Sequence, residues 1–166
     1  MIKTFIIAAQ SLDGFIGPIA HTNSMSWTSG ADKIFFKNKT KEAGVVIMGR
    51  TTFETIGKAL PDRKTVVYSS EPILSDGVET TRLSPQDLLS KLEKEGYSEV
   101  AICGGTSIYS MFLKENLVDK IYLTLEPLFF GEGIPLCSDI KTTHLELISS
   151  TPLDANALLL EYNIKK

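Results

Sequence analysis

The sequence is poor in side chains that bind metals or act as nucleophiles. Its 166 residues include only two cysteines and two histidines, and these are far apart along the chain: His21, Cys103, Cys137 and His144. Protein metal sites usually draw Cys and His ligands from short, repeated spacings. We therefore expect no metal site. So few cysteines also fit a reduced chain, and we expect a cytoplasmic protein.

Long apolar runs and a strong net charge are also missing. No apolar run approaches the ~20 residues of a membrane-spanning helix, and the start of the chain lacks the extended core and cleavage site of a signal peptide. Seventeen basic against twenty acidic residues give a net charge of −3, so the basic surface typical of nucleic-acid binders is absent. We expect no membrane or nucleic-acid partner, and any bound anion needs locally placed groups.

What the chain does have is an alternation of two patterns. Hydrophobic residues make up 43% of it, and short β-rich apolar runs are separated by stretches with helical spacing of apolar residues. The runs are FIIAA (5–9), VVIM (45–48), TVVY (65–68), VAIC (100–103) and IYLTL (121–125). Continuous apolar strands are usually buried on both faces. The alternation predicts an α/β fold with a mostly parallel central sheet.

The end of the chain departs from this alternation. HLELISS (144–150) and ALLLEYNI (157–164) have no helix between them, so they predict an antiparallel hairpin at one edge of the sheet. The whole pattern predicts three layers, with about eight strands in the central sheet and helices on both faces. With no repeat or long linker, residues 1–166 are expected to form one domain.

Ligands of open α/β sheets bind beyond the carboxyl ends of the strands, and three of these ends suit phosphates. VAIC leads into Gly104-Gly105, where bare backbone N–H groups could meet an anion at a helix start. The alternative is a tight turn with Thr106 or Ser107 as helix N-cap. VVIM leads into Gly49-Arg50, and TVVY into two hydroxyls, Ser69 and Ser70.

The Arg50 segment also has two readings. Its guanidinium could hold a phosphate by two parallel hydrogen bonds. Alternatively, Thr51 and Glu54 have the spacing of a capping box, and Arg50 is a surface side chain. Neither GxGxxG nor GxxxxGK[ST] occurs, so a standard dinucleotide or P-loop motif is not supported. The three strand ends together predict the floor of an extended nucleotide site.

Asp32 is the one carboxylate that the pattern singles out. It lies near a predicted helix start, shares a helical face with Phe36 and follows Trp27. A carboxylate there commonly complements the helix dipole. If the face borders an apolar cleft instead, desolvation would raise its pKa and make it an anchor or proton source for a nitrogen heterocycle. The spacing does not choose between the two.

These residues together resemble the dihydrofolate reductase family. Trp27 through Asp32 to Phe36 is similar to that family's W-x-x-P-x-D/E…F segment, and VIMGRTTFETIGKALPDRK (46–64) to its V-x-M-G-R-x-T segment. VAICGGTSIYSMFL (100–113) and IYLT (121–124) are similar to two further motifs. The resemblance runs through nearly the whole chain.

The resemblance implies a folate cleft. Asp32 would bind the amino group and adjacent ring nitrogen of the pteridine, with Thr124 and Trp27 supporting it directly or through water. Arg63 would pair with the glutamate carboxylate of folate. The remaining substrate contacts would be Ile7, Ala8, Phe36, Ile56, Leu60 and Cys103, with the backbone carbonyls of Ile7 and Cys103 facing the ring.

The resemblance also implies NADPH as cofactor. The phosphates and ribose would lie against Gly49 through Thr52, Ser69, Ser70 and Gly104 through Tyr109. The nicotinamide would be bordered by Ala9, Ile16 and Gly17, and the segment with Met25 would close over it. By name the predicted cofactor residues are Ala9, Ile16, Gly17, Met25, Gly49, Arg50, Thr51, Thr52, Ser69, Ser70, Gly104, Gly105, Thr106, Ser107, Ile108 and Tyr109.

The implied reaction is hydride transfer from NADPH to dihydrofolate, giving tetrahydrofolate. Two stretches instead resemble the related riboflavin-pathway reductases: Ser11 to Gly14 (S-L-D-G) and Pro127 to Leu136. Reduction of a ribosylaminopyrimidine phosphate is therefore one alternative, and a non-catalytic nucleotide-binding module of the same fold is another. Lys33 stands where the family usually has an apolar residue. We expect a monomer rather than a homodimer.

Overall fold

The computed structural model describes residues 1–20 and 26–166. Its strands are β1 (Lys3–Ser11), β2 (Phe15–Gly17), β3 (Val45–Gly49), β4 (Lys64–Tyr68), β5 (Val78–Thr81), β6 (Glu99–Ile102), β7 (Lys120–Glu126), β8 (Ile134–Pro135), β9 (Leu145–Pro152) and β10 (Leu158–Ile164). Its helices are α1 (Gly30–Ala43), α2 (Arg50–Ile56), α3 (Pro85–Lys94) and α4 (Thr106–Lys114). None of these helices is long and apolar enough to cross a membrane.

The main sheet has eight strands in the order β5-β4-β3-β6-β1-β7-β10-β9 within the described residues. Neighbours from β5 to β7 are parallel, and β10 is antiparallel to both β7 and β9. The predicted mostly parallel sheet and terminal hairpin are confirmed. The short strands β2, β5 and β8 were not predicted, because they lack a continuous apolar run. β2 and β8 pair with each other.

The apolar runs are continuous because both faces of the sheet are covered. One face, including Ile6, Ile47 and Ile102, packs on α3 and α4, whose inward residues include Leu88, Leu92, Ile108 and Phe112. The other, including Phe5, Val46 and Met48, packs on Ala43 of α1 and Phe53 of α2. Each central strand therefore buries successive side chains in opposite cores. The predicted three layers, with helices on both faces, are confirmed.

The helix starts differ in a way that shapes the site. Ser29 caps α1 and Ser84 caps α3, each accepting a hydrogen bond from the backbone N–H three residues later. The residues before α2 and α4 are glycines, Gly49 and Gly105, and neither start has a side-chain cap. The capping box at Thr51 and the N-cap at Thr106 or Ser107 are therefore wrong. Both starts keep backbone N–H groups available to a ligand.

Candidate active site

A cleft of about 870 Å³ opens beyond the carboxyl ends of the parallel strands. It is where the open-sheet rule places a ligand. Most of the residues that the sequence singled out line it. They are Ile7, Ala8, Ala9, Ile16, Gly17, Asp32, Phe36, Gly49, Arg50, Thr51, Thr52, Ile56, Leu60, Arg63, Cys103, Gly104, Gly105, Thr106, Ser107, Ile108 and Tyr109.

Asp32 lies in the first turn of α1 and faces this cleft. Its backbone N–H donates to Ser29 Oγ at 3.1 Å, while its carboxylate accepts from Thr124 on β7. Burial raises the pKa of Asp32 above its ordinary value; the hydrogen bond from Thr124 opposes that rise. Both interpretations of Asp32 therefore apply. It lies in the first turn of a helix, and its carboxylate is partly desolvated in a cleft.

Two β7 side chains fix the first turn of α1. Thr124 and Glu126 are two residues apart and point to the same side of the strand. Thr124 reaches Asp32, and Glu126 Oε1 accepts from both the backbone N–H and the hydroxyl of Ser29, each at 2.9 Å. Thr124 itself is buried behind the cleft rather than on its lining. Its effect on a ligand therefore passes through Asp32.

Arg63 is held at the other end of the same wall. Its Nη1 donates to Thr40 Oγ1 at 2.7 Å and its Nε donates to the carbonyl of Pro61 at 2.9 Å. A guanidinium has five N–H donors, so these two bonds orient the group and leave other donors for the cleft. Arg63 and Asp32 consequently border one cavity, and its lining also includes the apolar residues Phe36 and Leu60.

The start of α4 forms another part of the cleft wall. The peptide bond between Gly104 and Gly105 is cis, and Gly104 has φ 108°. A Cβ on Gly104 would lie 3.0 Å from the hydroxyl of Tyr109, so only glycine fits this turn. The Gly104 carbonyl accepts from Gly49 N–H at 2.8 Å. This bond ties the starts of α2 and α4 together beside the cleft.

Tyr109 and Arg50 have their side chains fixed by neighbours. The buried hydroxyl of Tyr109 donates to the carbonyl of Ile7 at 2.9 Å, which connects α4 to β1 below the cleft. Arg50 Nε pairs with Glu54 at 2.7 Å, and its Nη1 donates to Ser69 Oγ at 3.2 Å. Ser69 and Ser70 lie outside the cleft lining, so Ser69 reaches it through Arg50.

Trp27 is not placed as expected. It borders a second cavity of about 340 Å³ together with Glu126 and Asp154, and its ring packs edge-on against Phe130 at 5.2 Å between centroids. Its Nε1 is buried without a hydrogen-bond partner among the described residues. Nε1 therefore makes no direct hydrogen bond to Asp32, and support of Asp32 by Trp27 through water stays a prediction. Met25 lies outside the described residues.

The cleft has a more basic lining than the predicted site, which included only Arg50 and Arg63. Five basic side chains border it against one carboxylate, Asp32, among the residues that the structure describes. The five are Lys33, Lys37, Arg50, Lys58 and Arg63. Helical spacing could have found Lys37, which lies one turn after Lys33 on α1. A protein with net charge −3 thus concentrates positive charge at one cavity, which attracts anionic ligands.

The S-L-D-G stretch lies at a turn outside this lining. Asp13 Oδ2 accepts from the N–H of Gly131 at 2.7 Å, its Oδ1 accepts from that of Phe130 at 3.2 Å, and Ser11 Oγ donates to it at 2.6 Å. These hydrogen bonds lower the pKa of Asp13. The motif therefore joins two loops, and of the riboflavin-like stretch only Ile134 reaches the cleft.

The fold and the cleft together are those of an open-sheet α/β protein, and one cleft is bordered by a partly buried carboxylate and by two helix starts without side-chain caps. The profile of the family described as "Dihydrofolate reductase" matches residues 3–147. A dihydrofolate reductase of Haemophilus influenzae is 33% identical over 119 residues, covering 72% of this chain and 69% of that protein. The chain belongs to the dihydrofolate reductase family.

Solved structures extend the similarity along almost the whole chain. Dihydrofolate reductase from Enterococcus faecalis, complexed with NADP(H) and RAB-propyl, has a TM-score of 0.80 and 26% identity, covering 99% of this chain and 97% of its own. A putative riboflavin biosynthesis protein from a Shewanella species has a TM-score of 0.85 at 23% identity, covering 99% and 100%. The latter shows a common fold. Membership of the dihydrofolate reductase family places this protein among the oxidoreductases.

Proposed function

We propose that this protein reduces 7,8-dihydrofolate to 5,6,7,8-tetrahydrofolate with NADPH, a cytoplasmic step of one-carbon metabolism. The observation that supports it is that Asp32 and Arg63 border the same cleft as the Gly104-Gly105 turn. A pterin with a glutamate tail needs a carboxylate at its ring and a cation at its tail. The apolar side chains between them suit the flat ring system.

In this proposal Asp32 recognises the pteridine ring. A carboxyl accepts or donates at the amino group and adjacent ring nitrogen, and Thr124 fixes its orientation. Because the pKa of Asp32 is raised, its protonated form persists to higher pH than in water. Asp32 therefore favours delivery of a proton, by way of water, to the ring nitrogen beside the reduced carbon.

Where Gly49 and Gly104-Gly105 border the cleft, the chain would bind the cofactor. NADPH supplies the hydride, and the α4 start and Arg50 would hold its phosphates. The fit rests on two features: helix starts without side-chain caps, and a backbone left bare by adjacent glycines. The related Enterococcus faecalis enzyme was solved with NADP(H). Arg63 would bind the glutamate tail of the substrate through its remaining donors.

The second candidate is reduction of a ribosylaminopyrimidine phosphate. It is favoured by Lys33, Lys37 and Lys58 in the cleft lining, since a phosphate ester also needs cations. Against it, the S-L-D-G stretch serves to join loops. The similarity to the Shewanella protein covers the fold that both activities use.

The test follows NADPH oxidation by absorbance with dihydrofolate, with the ribosylaminopyrimidine phosphate, and with neither. We expect oxidation with dihydrofolate alone. Oxidation only with the pyrimidine phosphate would replace the proposal by the second candidate. NADPH binding without oxidation in any mixture would overturn both and leave a nucleotide-binding module.

A further inference from the structure

Glu126, the last residue of β7, is a buried carboxylate that the proposed reaction does not use. Only 2% of its surface is exposed. Its two hydrogen bonds from Ser29, both 2.9 Å long, reach the same oxygen, Oε1. Burying a carboxylate costs free energy that hydrogen bonds offset only in part. A carboxylate buried at this cost beside the site points to a role in the site.

The geometry connects Glu126 to Asp32 in two ways. Ser29 accepts from the N–H of Asp32 through the same Oγ that donates to Glu126, so one hydroxyl joins the two acidic residues. Thr124, two residues before Glu126 on β7, binds the Asp32 carboxylate directly. β7 therefore holds the first turn of α1 through two side chains, Thr124 and Glu126, and the second of these is acidic.

We propose that Glu126 is a positioning residue for Asp32: through Ser29 it holds the start of α1 against β7, and it thereby keeps its own carboxylate charge close to the Asp32 carboxyl. The turnover part of this inference rests on the proposed function. Its titration part concerns Asp32 in the protein without ligands.

The charged groups around Asp32 act in opposite directions. Burial is the main cause of its raised pKa, and the charge of Glu126 raises it further, whereas Lys33 on α1 lowers it. Tyr109 on α4 has its own pKa raised by burial first, and by the charges of Cys103 and Asp32. Arg63, Lys58 and the thiol of Cys103 border the same cleft. Asp154 and Glu126 both line the smaller cavity.

Glu126→Gln is the discriminating variant, because its amide oxygen can still accept from Ser29 while the charge is lost. The titration of Asp32 is followed by carboxyl ¹³C NMR in the ligand-free protein. We expect the Asp32 midpoint to move to lower pH in Glu126→Gln and to higher pH in Lys33→Met. For turnover of dihydrofolate, we expect kcat/KM of Glu126→Gln to match wild type well below the Asp32 midpoint of both proteins and to be roughly three- to tenfold lower well above it.

Glu126→Asp separates charge from geometry. It keeps the negative charge but shortens the side chain, so we expect a lower Tm with the Asp32 midpoint at the wild-type value. The same downward shift in Glu126→Asp as in Glu126→Gln would overturn the inference, because loosening rather than charge would be the cause. If Glu126→Gln does not fold, Glu126→Asp carries the test by itself, and a downward shift of its Asp32 midpoint from the wild-type value would overturn the inference.

An unchanged Asp32 midpoint in a folded Glu126→Gln would also overturn the inference, whatever the activity. A shifted midpoint in a protein that oxidises NADPH with neither substrate would overturn the proposed function alone. In that case the titration part of the inference would hold. The two failures are therefore distinguishable.

Discussion

Arg63 and Thr40 are joined by a 2.7 Å hydrogen bond from Nη1 to Oγ1, and the Thr40 hydroxyl in turn donates to the carbonyl of Phe36 at 2.6 Å. A buried threonine of α1 thus orients an arginine that comes from the segment before β4. The direction of the guanidinium depends on how the helix lies against the loop. Residues 23 positions apart act as one unit at the proposed tail site.

Thr40→Val tests this orientation. We expect KM for dihydrofolate to rise about three- to tenfold with kcat little changed, because losing one oriented contact costs about 1 kcal/mol of binding. Steady-state kinetics measure this, with Thr143→Val as the matched control at an exposed threonine. An equal rise in KM for a dihydropterin without the glutamate tail would contradict the assignment of Arg63.

Asp32→Asn tests the proposed ring anchor. The amide keeps the shape but cannot hold an exchangeable carboxyl proton, so we expect turnover of dihydrofolate near pH 7 to fall by about 10²-fold or more. NADPH affinity should remain within about twofold, because Asp32 belongs to α1 whereas the proposed phosphate contacts come from the starts of α2 and α4. Single-turnover kinetics and fluorescence titration with NADPH measure the two effects. Turnover equal to wild type would exclude Asp32 from the reaction.

The same variant changes how stability depends on pH. The folded-state pKa of Asp32 is raised, so its contribution to stability is fully present below its unfolded pKa, about 4. That contribution is lost as the pH rises through the folded pKa. We expect the Tm of Asp32→Asn near pH 8 to exceed that of wild type by a few degrees. In a protein of this size, each kcal/mol of unfolding free energy shifts Tm by roughly 2–4 °C. The excess should disappear near pH 4, and thermal melts across this range measure it.

Arg50 and Glu54 give a prediction about cofactor choice. Glu54 pairs with Arg50 on an exposed helix turn, where such a pair contributes little to stability. We expect Arg50→Gln to weaken NADPH binding by about tenfold and NADH binding much less, since the additional phosphate that distinguishes NADPH from NADH would lose its guanidinium partner. Glu54→Gln should leave Tm nearly unchanged and tighten NADPH binding slightly. Calorimetric titration with both cofactors is the measurement; equal losses for both would contradict a role in selecting the phosphate.

The fold was largely predictable because its signals are local. VVIM (45–48) and VAIC (100–103) became β3 and β6 at the center of the sheet, buried on both faces as continuous apolar runs indicate. The residues alone predict two glycine-bounded strand ends as parts of a ligand site, and both border the cleft. The strand Val78–Thr81 was missed, because two threonines and a glutamate among four residues give no apolar run.

The site was only partly predictable, because its decisive contacts join distant residues. Trp27 belongs to a segment that resembles a family motif, yet its ring packs on Phe130 and it lies outside the cleft lining. Glu126 carried no signal of its own, since its burial against Ser29 comes from the approach of β7 to α1. The cluster of lysines at the cleft came from two separate segments, α1 and the loop after α2.

The sequence by itself determined the periodicity of the elements, the apolar cores and the types of side chain at the strand ends. These follow from spacing and composition, which act over a few residues. Only the tertiary structure decided that Asp32 faces a cleft, that Thr124 and Glu126 stand behind it, and that Arg63 opens onto the same cavity. The pKa of a carboxyl depends on burial and on charges brought near it by folding, so its chemistry is a property of the assembled sheet and helices.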